Sequence, residues 1–314
     1  MKTYASASEF NGERETVVTI GTFDGVHLGH KSILRRLIQT AKEDGLESVV
    51  LTFFPHPRLV LQQNSDLKLI NTIEERAALL EKSGIHSLII HPFTQDFSRL
   101  TAEEYVHDIL VRDLNVKKLI IGYDHRFGRN RNADISDLRK YGKELGFEIE
   151  EISAKEIDDV AISSTKIRKA LDRGDVETAN ECLGYRFMIT GEIVPGKALG
   201  RTIGYPTANL HLKETYKMAP LNGVYVVRSV INEKEVFGIT SIGTNPTVGG
   251  KKKTIETHFL DFDEDLYGEK ITLEFLKFIR PEATFNSLEE LRNEIAKDEN
   301  FAKKYLETLD LTSE

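Results

Sequence analysis

The chain has 314 residues, with 40% hydrophobic and 29% charged residues, which predicts about two packed domains and argues against global disorder. Its formal charge of −8, from 42 Lys+Arg and 50 Asp+Glu, makes nucleic acid an unexpected main partner, since duplex-binding proteins carry a basic field. A single cysteine, Cys182, excludes an intrachain disulfide and a cysteine-based metal site, and the absence of a long apolar run or signal core predicts a cytoplasmic protein without membrane contact.

Short apolar runs alternate with amphipathic stretches from Glu15 to about Gly184. The runs are apolar on successive residues, which is typical of strands covered on both faces. Such alternation predicts right-handed βαβ units and a doubly wound parallel sheet, with ligands beyond the carboxyl ends of the strands. The five predicted strands are Thr16–Ile20, Ser48–Phe54, Ser87–His91, Lys118–Ile121 and Phe147–Ile152.

Helix ends are recognisable between these strands. Thr72 with Glu75, and Thr101 with Glu104, have the spacing of capping boxes. Gly146 stands where a left-handed helix stop is expected.

After Gly184 the pattern changes to strands joined by Gly, Pro and Asn turns, followed by a charged helical stretch, Ser287–Leu309. We expect a small antiparallel β-barrel with a terminal helix, and therefore domains at residues 1–184 and 185–314. The predicted strands are Arg186–Val194, Gly223–Ile231, Val236–Ile242, Thr254–Phe262 and Ile271–Ile279.

The first predicted strand runs into Gly21–His30, GTFDGVHLGH, and then into a predicted helix, Lys31–Glu43. Glycines let the backbone approach a ligand closely, and a helix start offers free N–H groups to an anion. His27 and His30 are three residues apart, so both imidazoles can face one phosphate; alternatively, they only cap the turn. We expect the phosphate-binding residues of this segment to be Gly21, Phe23, Asp24 and Gly25.

The chain has no GxxxxGK[ST], GxGxxG, HExxH or GxSxG sequence, so the commonest nucleotide-binding and hydrolase signatures are missing. A second candidate anion site is Ile162–Arg168, ISSTKIR, where Ser164 or Thr165 can cap a helix. Lys166 and Arg168 lie in its first turn, where cations oppose the helix dipole unless an anion is bound. Polyphosphate is the expected anion.

The C-terminal half contains a loop with three glycines, Gly196–Leu210, GKALGRTIGYPTANL. Its composition also suits an ordinary surface loop. As a phosphate-binding loop it would use Gly196, Lys197, Gly200 and Arg201. Thr207 and Asn209 offer uncharged oxygens suited to Mg²⁺.

The N-terminal motifs resemble those of a known family. Gly21–His30 resembles the GxFDGxHxGH signature of nucleotidylyltransferases, and Ile162–Arg168 resembles their ISSTxIR loop. Phe54–Pro57, FPHP, and Gly122–Gly128, GYDHRFG, resemble segments of the FAD-synthetase branch. That branch often has a glycine shortly afterwards, whereas this chain reads RNRNA at 129–133, which leaves the conformation of this loop open.

The resemblance implies that His27 and His30 stabilise the attacked α-phosphate of ATP. It also implies that the departing pyrophosphate is held by Ser164, Thr165 and Arg168. Asp124 would contact the nucleotide, although its position is equally typical of an exposed loop aspartate that binds no ligand. His56, between two prolines, is either a substrate contact or a rigid-turn residue.

The C-terminal loop resembles the GxxxGRxxGxPTANL signature of riboflavin kinases. The match continues in order through later segments and implies that Glu274 is the base for the ribityl hydroxyl, although alternation alone reads it as a solvated strand carboxylate. The whole chain thus resembles the bifunctional riboflavin kinase/FAD synthetase family. The later segments are Pro220–Tyr225, Ser241–Thr247, Glu256–Phe262, Asp265–Gly268 and Ile271–Arg280.

This resemblance implies two phosphate transfers: riboflavin to FMN in the barrel, with ATP and Mg²⁺, and FMN to FAD in the N-terminal domain, with release of pyrophosphate. One alternative keeps the N-terminal fold but gives it another acceptor, such as phosphopantetheine or a phosphocholine-like group. Another is a flavin-binding sensor without turnover. The expected partners are small molecules, and the sequence leaves the oligomeric state open.

Overall fold

The computed structural model describes residues 1–62, 65–122, 126–153, 162–196, 199–247 and 250–310. The chain forms two compact units, Met1–Ser164 and Thr165–Glu314. In the described ranges, no helix is both long and apolar enough to cross a membrane.

The first unit is built on a six-stranded sheet in which every neighbouring pair is parallel, so the predicted doubly wound architecture is confirmed. The strand order is β1-β4-β3-β2-β5-β6. The three-residue edge strand β1 was not predicted from sequence because it is too short to show a period. The strands are β1 (Lys2–Tyr4), β2 (Thr16–Ile20), β3 (Glu47–Phe54), β4 (Ser87–Pro92), β5 (Val116–Gly122) and β6 (Glu148–Ile152).

The order of these strands reverses at β2. The chain proceeds outward from β2 through β3 to β4, then returns to place β5 on the other side of β2. At such a switch point the connections leave the carboxyl ends of adjacent strands in opposite directions and open a crevice. The turn Gly21–His30 follows β2 directly and therefore lies at this crevice.

Both faces of the sheet are covered, as the continuous apolar runs predict. On one face, Val17 and Val50 pack in a core with α1 and α3. On the other, Val18 and Leu51 pack in a core with the helices around residues 102–113 and 135–145. The helices are α1 (Leu28–Asp44), α2 (Pro57–Leu61), α3 (Ile73–Lys82), α4 (Ala102–Glu104, continuing as a π-helix over Tyr105–Asp113) and α5 (Ile135–Leu145).

The predicted helix ends are mostly as expected. The capping boxes at Thr72 and at Thr101 are both present, and Gly146 ends α5 in the left-handed region. Helix α1 begins at Leu28, three residues before the predicted start, because the His27 side chain supplies its N-terminal cap.

The second unit contains a closed six-stranded barrel, again as predicted. Its order is β10-β11-β8-β7-β12-β9, every neighbouring pair is antiparallel, and the pairing of β9 with β10 closes the barrel. The four-residue strand β8 was expected to be loop. The strands are β7 (Met188–Val194), β8 (Ala208–His211), β9 (Gly223–Ile231), β10 (Lys234–Thr247), β11 (Gly250–Phe259) and β12 (Lys270–Pro281).

Three longer helices accompany the barrel: α6 (Ser164–Asp172), α7 (Val176–Leu183) and, after the short α8 (Leu199–Thr202), the terminal α9 (Leu288–Asp310). Ala302 on α9 is buried in a core with Val224, Ile239 and Leu276. At the start of α9, the Glu290 N–H donates a hydrogen bond to Ser287 Oγ over 3.1 Å.

Helices α6 and α7 bear on where the domains divide. Lys277 on β12 forms an ion pair with Glu177 on α7 at 2.7 Å, and the Leu221 N–H donates to the Leu171 carbonyl of α6. Because of these contacts, both helices group with the barrel beyond Ser164. The sequence predicts a domain boundary at Gly184, which would assign both helices to the N-terminal domain. That boundary remains a prediction.

Candidate functional site

The turn after β2 has a backbone that few sequences tolerate. Phe23 and Val26 have φ angles of 47° and 37°, and Gly25 has 93°. Left-handed φ values at a bulky or β-branched residue are strained and are retained mainly at functional sites. A Cβ atom on Gly21 would lie 3.1 Å from the Phe23 ring, so any larger side chain there would press on that ring. The expected glycine positions therefore shape the backbone beneath the two histidines.

The two imidazoles of this turn lie face to face. The rings of His27 and His30 are stacked with centroids 3.7 Å apart, and Phe23 lies beside His30 at 5.0 Å. His27 Nδ1 accepts a hydrogen bond from the His30 N–H over 3.3 Å. With Nδ1 as acceptor, the proton of neutral His27 is on Nε2, which can donate to an anion. The capping role and the ligand role of His27 are thus compatible.

His30 is held as a neutral base. Burial, followed by the neighbouring charges of His27 and Arg76, places the pKa of the His30 imidazole well below its ordinary value. Its Nδ1 atom is buried and makes no hydrogen bond within the described residues. An oxygen of a bound phosphate would satisfy that nitrogen.

Asp24, expected among the phosphate-binding residues, has a buried carboxylate that is engaged by other groups of the protein. Its carboxylate is 1% exposed and accepts hydrogen bonds from the backbone N–H groups of Ile70 and Asn71 at 3.0 and 3.3 Å. Its Oδ1 also lies 3.6 Å from Nη2 of Arg76. These partners occupy the carboxylate, so Asp24 holds the turn in place instead of reaching outward.

Ser164 joins the second anion segment to the same turn. Its hydroxyl donates to the Asp24 carbonyl over 2.8 Å. Helix α6 begins at Ser164, so Ser164 and Thr165 lie inside the helix and neither is its N-terminal cap, contrary to the sequence expectation. Arg168 follows one turn later in the same helix.

The remaining N-terminal candidates have mixed positions. His56 caps α2, accepting from the Arg58 N–H over 3.1 Å, which supports its turn role. Asp124 lies outside the described residues. The segment 129–133, which lacks the family's glycine, is instead turned by Gly128, Asn130 and Arg131 with φ angles of 55–70°.

In the barrel, the glycine-rich loop packs tightly against the start of β8. A Cβ atom on Gly196 would lie only 2.2 Å from the Asn209 side chain, and one on Gly200 would lie 2.1 Å from the Tyr205 carbonyl. Arg201 is exposed, and Lys197 lies outside the described residues. The side-chain amide nitrogen of Asn209 donates to the Thr207 carbonyl over 3.4 Å. The side-chain oxygen of Asn209 therefore faces away from that carbonyl. Gly200 is thus required by close packing against backbone, and a side chain at Gly196 would displace the Asn209 amide.

Glu274, the expected base, lies far from Thr207 and Asn209. On β7, Glu274 is opposite Met188 whereas Asn209 is opposite Val194, which places them roughly 20 Å apart along the strand. The Glu274 carboxylate accepts a hydrogen bond from Arg228 Nη1 over 2.6 Å and lies 3.5 Å from Arg186. Glu274 is thus an ion-paired strand carboxylate, whereas alternation alone predicts a solvated one.

The structure places another carboxylate beside the metal candidates. Glu256 on β11 is directly opposite Asn209 on β8, so their side chains leave the same face of the barrel. Directly opposed side chains have Cβ atoms about 5 Å apart. Glu256 is half-buried, between the buried residues Ile255 and Thr257. Sequence reasoning missed it because β8 was hidden in the glycine-rich loop, although Glu256 opens one of the matched segments.

The amide and hydroxyl oxygens of Asn209 and Thr207, with a carboxylate opposite, fit the preference of Mg²⁺ for a few hard protein oxygens beside phosphates. No group of three His, Cys, Asp or Glu side chains within the described ranges could hold a metal ion. The donor set therefore suits a magnesium ion that arrives with ATP.

Two family models match the chain, one for each unit. The FAD synthetase model matches residues 10–166, and the riboflavin kinase model matches residues 183–306. The bifunctional riboflavin kinase/FMN adenylyltransferase of Escherichia coli K12 is 39% identical over 290 residues, which are 92% of this chain and 92% of that protein. The chain belongs to this bifunctional family. Both enzyme domains are present, the FAD synthetase domain first and the riboflavin kinase domain second.

Other relatives agree. The Listeria monocytogenes protein of the same name is 36% identical, over 94% of this chain and 93% of its own length. A crystal structure from Streptococcus pneumoniae, described as a macrolide-efflux protein, has the same fold with a TM-score of 0.87 and 32% identity, covering 96% of this chain and 98% of that one.

Proposed function

We propose that this chain converts riboflavin to FMN in its C-terminal unit and FMN to FAD in its N-terminal unit, using ATP in both steps. The proposal is supported by one observation above all: the two matched domains lie in one chain, and the product of the second is the substrate of the first. Small molecules are thus the partners that both units require.

In the kinase step, Glu256 accepts the proton of the ribityl 5′-hydroxyl as that oxygen attacks the γ-phosphorus of ATP, and ADP leaves. We assign this role to Glu256 instead of Glu274 because Glu256 is opposite Asn209, whereas Glu274 is paired with Arg228. Thr207 and Asn209 would hold Mg²⁺, which neutralises phosphate charge when bound.

In the adenylyltransferase step, an oxygen of the FMN phosphate attacks the α-phosphorus of ATP and pyrophosphate leaves. Nε2 of His27 donates to an α-phosphate oxygen, and His30 contacts the same group from the stacked position. Ser164, Thr165 and Arg168 hold the departing pyrophosphate at the start of α6. The remaining loop candidates Lys197, Gly200 and Arg201 would cover the phosphates in the other unit.

The direct test is to incubate the purified chain with riboflavin, ATP and Mg²⁺ and to separate the flavins by chromatography. We expect FMN to appear first and FAD afterwards, with pyrophosphate formed in proportion to FAD. Supplying FMN instead of riboflavin isolates the second step. Riboflavin that binds but remains unchanged would identify a sensor, and FMN made without FAD would leave the N-terminal unit with a different acceptor.

A further inference from the structure

A buried arginine lies behind the histidine turn, and the reaction described above does not use it. Arg76 on α3 has no exposed surface, and its Nη2 atom lies 3.6 Å from Asp24 Oδ1, both side chains being about 1% exposed. Burying a guanidinium costs free energy that pairing and hydrogen bonding only partly offset, and an apolar side chain would avoid that cost. The same helix contributes Leu80 to the hydrophobic core on this face of the sheet, together with Leu34 and Leu37 of α1.

Asp24, the partner of Arg76, connects three separate parts of the chain. Its carboxylate receives the N–H groups of Ile70 and Asn71, and its backbone carbonyl receives the Ser164 hydroxyl over 2.8 Å. It is also part of the strained turn that ends in His27. A displacement of Asp24 would therefore move the histidines and Ser164 relative to each other.

We propose that Arg76 is a positioning residue for adenylyl transfer: through Asp24 it fixes the histidine turn against residues 70–71 and Ser164, and its charge acts on His30. The inference rests on the proposed function of this unit. Arg76 touches no reacting atom in this account. It acts through Asp24 and through its electrostatic field.

The electrostatic part has independent support. The pKa of His30 is lowered first by burial, then by His27 and then by Arg76. The charged and titratable groups around His30 are His27 from the turn, Arg76 from α3 with its partner Asp24, and Lys31, the next residue on α1. Arg76 is thus the buried arginine among them, and a guanidinium stays protonated throughout the range in which an imidazole titrates.

The experiment uses the full chain with Arg76→Met, Arg76→Lys and the control Arg139→Met, which removes an exposed arginine that pairs with Glu151 at 3.0 Å in the same unit. Adenylyl transfer is measured from supplied FMN and ATP. The His30 imidazole is titrated by NMR, assigned with a His30→Gln variant among the 9 histidines. Thermal unfolding shows whether each variant is folded.

We expect Arg76→Met to lower kcat for FAD formation by about 10²-fold, the cost of a small misplacement of catalytic groups, while the KM for ATP changes by less than about threefold. The His30 pKa should rise in Arg76→Met and stay unchanged in Arg76→Lys, which should also recover most of the lost kcat. Arg139→Met should change neither quantity. A folded Arg76→Met with normal kcat, or with an unmoved His30 pKa, would overturn the proposal.

If Arg76→Met does not fold, the Asp24→Asn variant tests the proposal. This variant keeps an oxygen for the two backbone N–H groups but removes the negative charge opposite Arg76, so the His30 pKa should fall further while kcat drops. An unchanged or raised His30 pKa would refute the link. The titration needs no turnover, so it tests the effect of Arg76 on His30 even if the wild-type chain forms no FAD. A wild-type chain that forms no FAD would refute the proposed function alone.

Discussion

Replacing Glu256 and Glu274 of the barrel one at a time by glutamine tests which of them is the general base and which is only an ion-pair partner. Glu256→Gln removes the carboxylate opposite Asn209 without changing its size, and kcat for riboflavin phosphorylation should fall by about 10²–10⁴-fold, the usual contribution of a general base. Glu274→Gln removes the negative charge that pairs with Arg228 and Arg186, which are 22% and 42% exposed.

Ion pairs at this level of exposure contribute only about 0–1 kcal/mol to stability. Arg228 also keeps its hydrogen bond to Glu235 in the Glu274→Gln variant. We therefore expect kcat of Glu274→Gln to stay within about threefold of wild type, a difference of roughly 0.7 kcal/mol in the barrier.

The assay follows FMN formation from riboflavin and ATP·Mg²⁺ at saturating substrate, with FAD formation from supplied FMN as the control in both variants. The control activity should be unchanged, because both glutamates lie in the second unit. A severe loss in Glu274→Gln with normal phosphorylation by Glu256→Gln would refute the argument from strand register.

Three further outcomes are expected. His27→Ala should reduce FAD formation from FMN by about 10²–10³-fold, as for loss of one phosphate-stabilising donor, and should spare riboflavin phosphorylation in a coupled flavin assay. Gly196→Ala should raise the KM for ATP in the kinase step, because its Cβ would meet the Asn209 side chain at 2.2 Å; an unchanged KM would contradict this. Burial lowers the pKa of His91 below about 6.5, an effect that Asp113 partly opposes, and His91 Nδ1 accepts from the Ala7 N–H. Its stabilising contribution is therefore present above that pH and lost as the pH falls through the folded-state pKa, so the melting temperature should fall on acidification, and less so in His91→Gln.

The strands of the first unit could be predicted because each is buried on both faces and the burial is visible as a continuous apolar run. Thr16–Ile20 has the predicted bounds, and all five residues are buried. The edge strand Lys2–Tyr4 and the strand Ala208–His211 could not be predicted, since three or four residues show no period. The first omission is harmless for the site, whereas the second concealed the residue opposite Glu256.

The histidines could also be predicted as a pair, because a spacing of three residues places both on one side of a helix start. The ion-pair partner of Asp24 could not be predicted. Arg76 lies on another helix, and only the fold brings its guanidinium to the carboxylate. The sequence motif therefore showed which residues carry the chemistry but not which of them support the others.

Glu256 and Glu274 show why this distinction matters in a barrel. Each is a half-exposed carboxylate between buried neighbours on a strand, so local sequence gives both the same description. Their cross-strand partners differ: Arg228 lies opposite Glu274, and the uncharged Asn209 lies opposite Glu256. Arg228 donates to the Glu274 carboxylate in an ion pair, whereas Glu256 shares a face of the barrel with a residue that could hold Mg²⁺. Strand register, which pairs residues distant in sequence, therefore decides which glutamate can serve as a base.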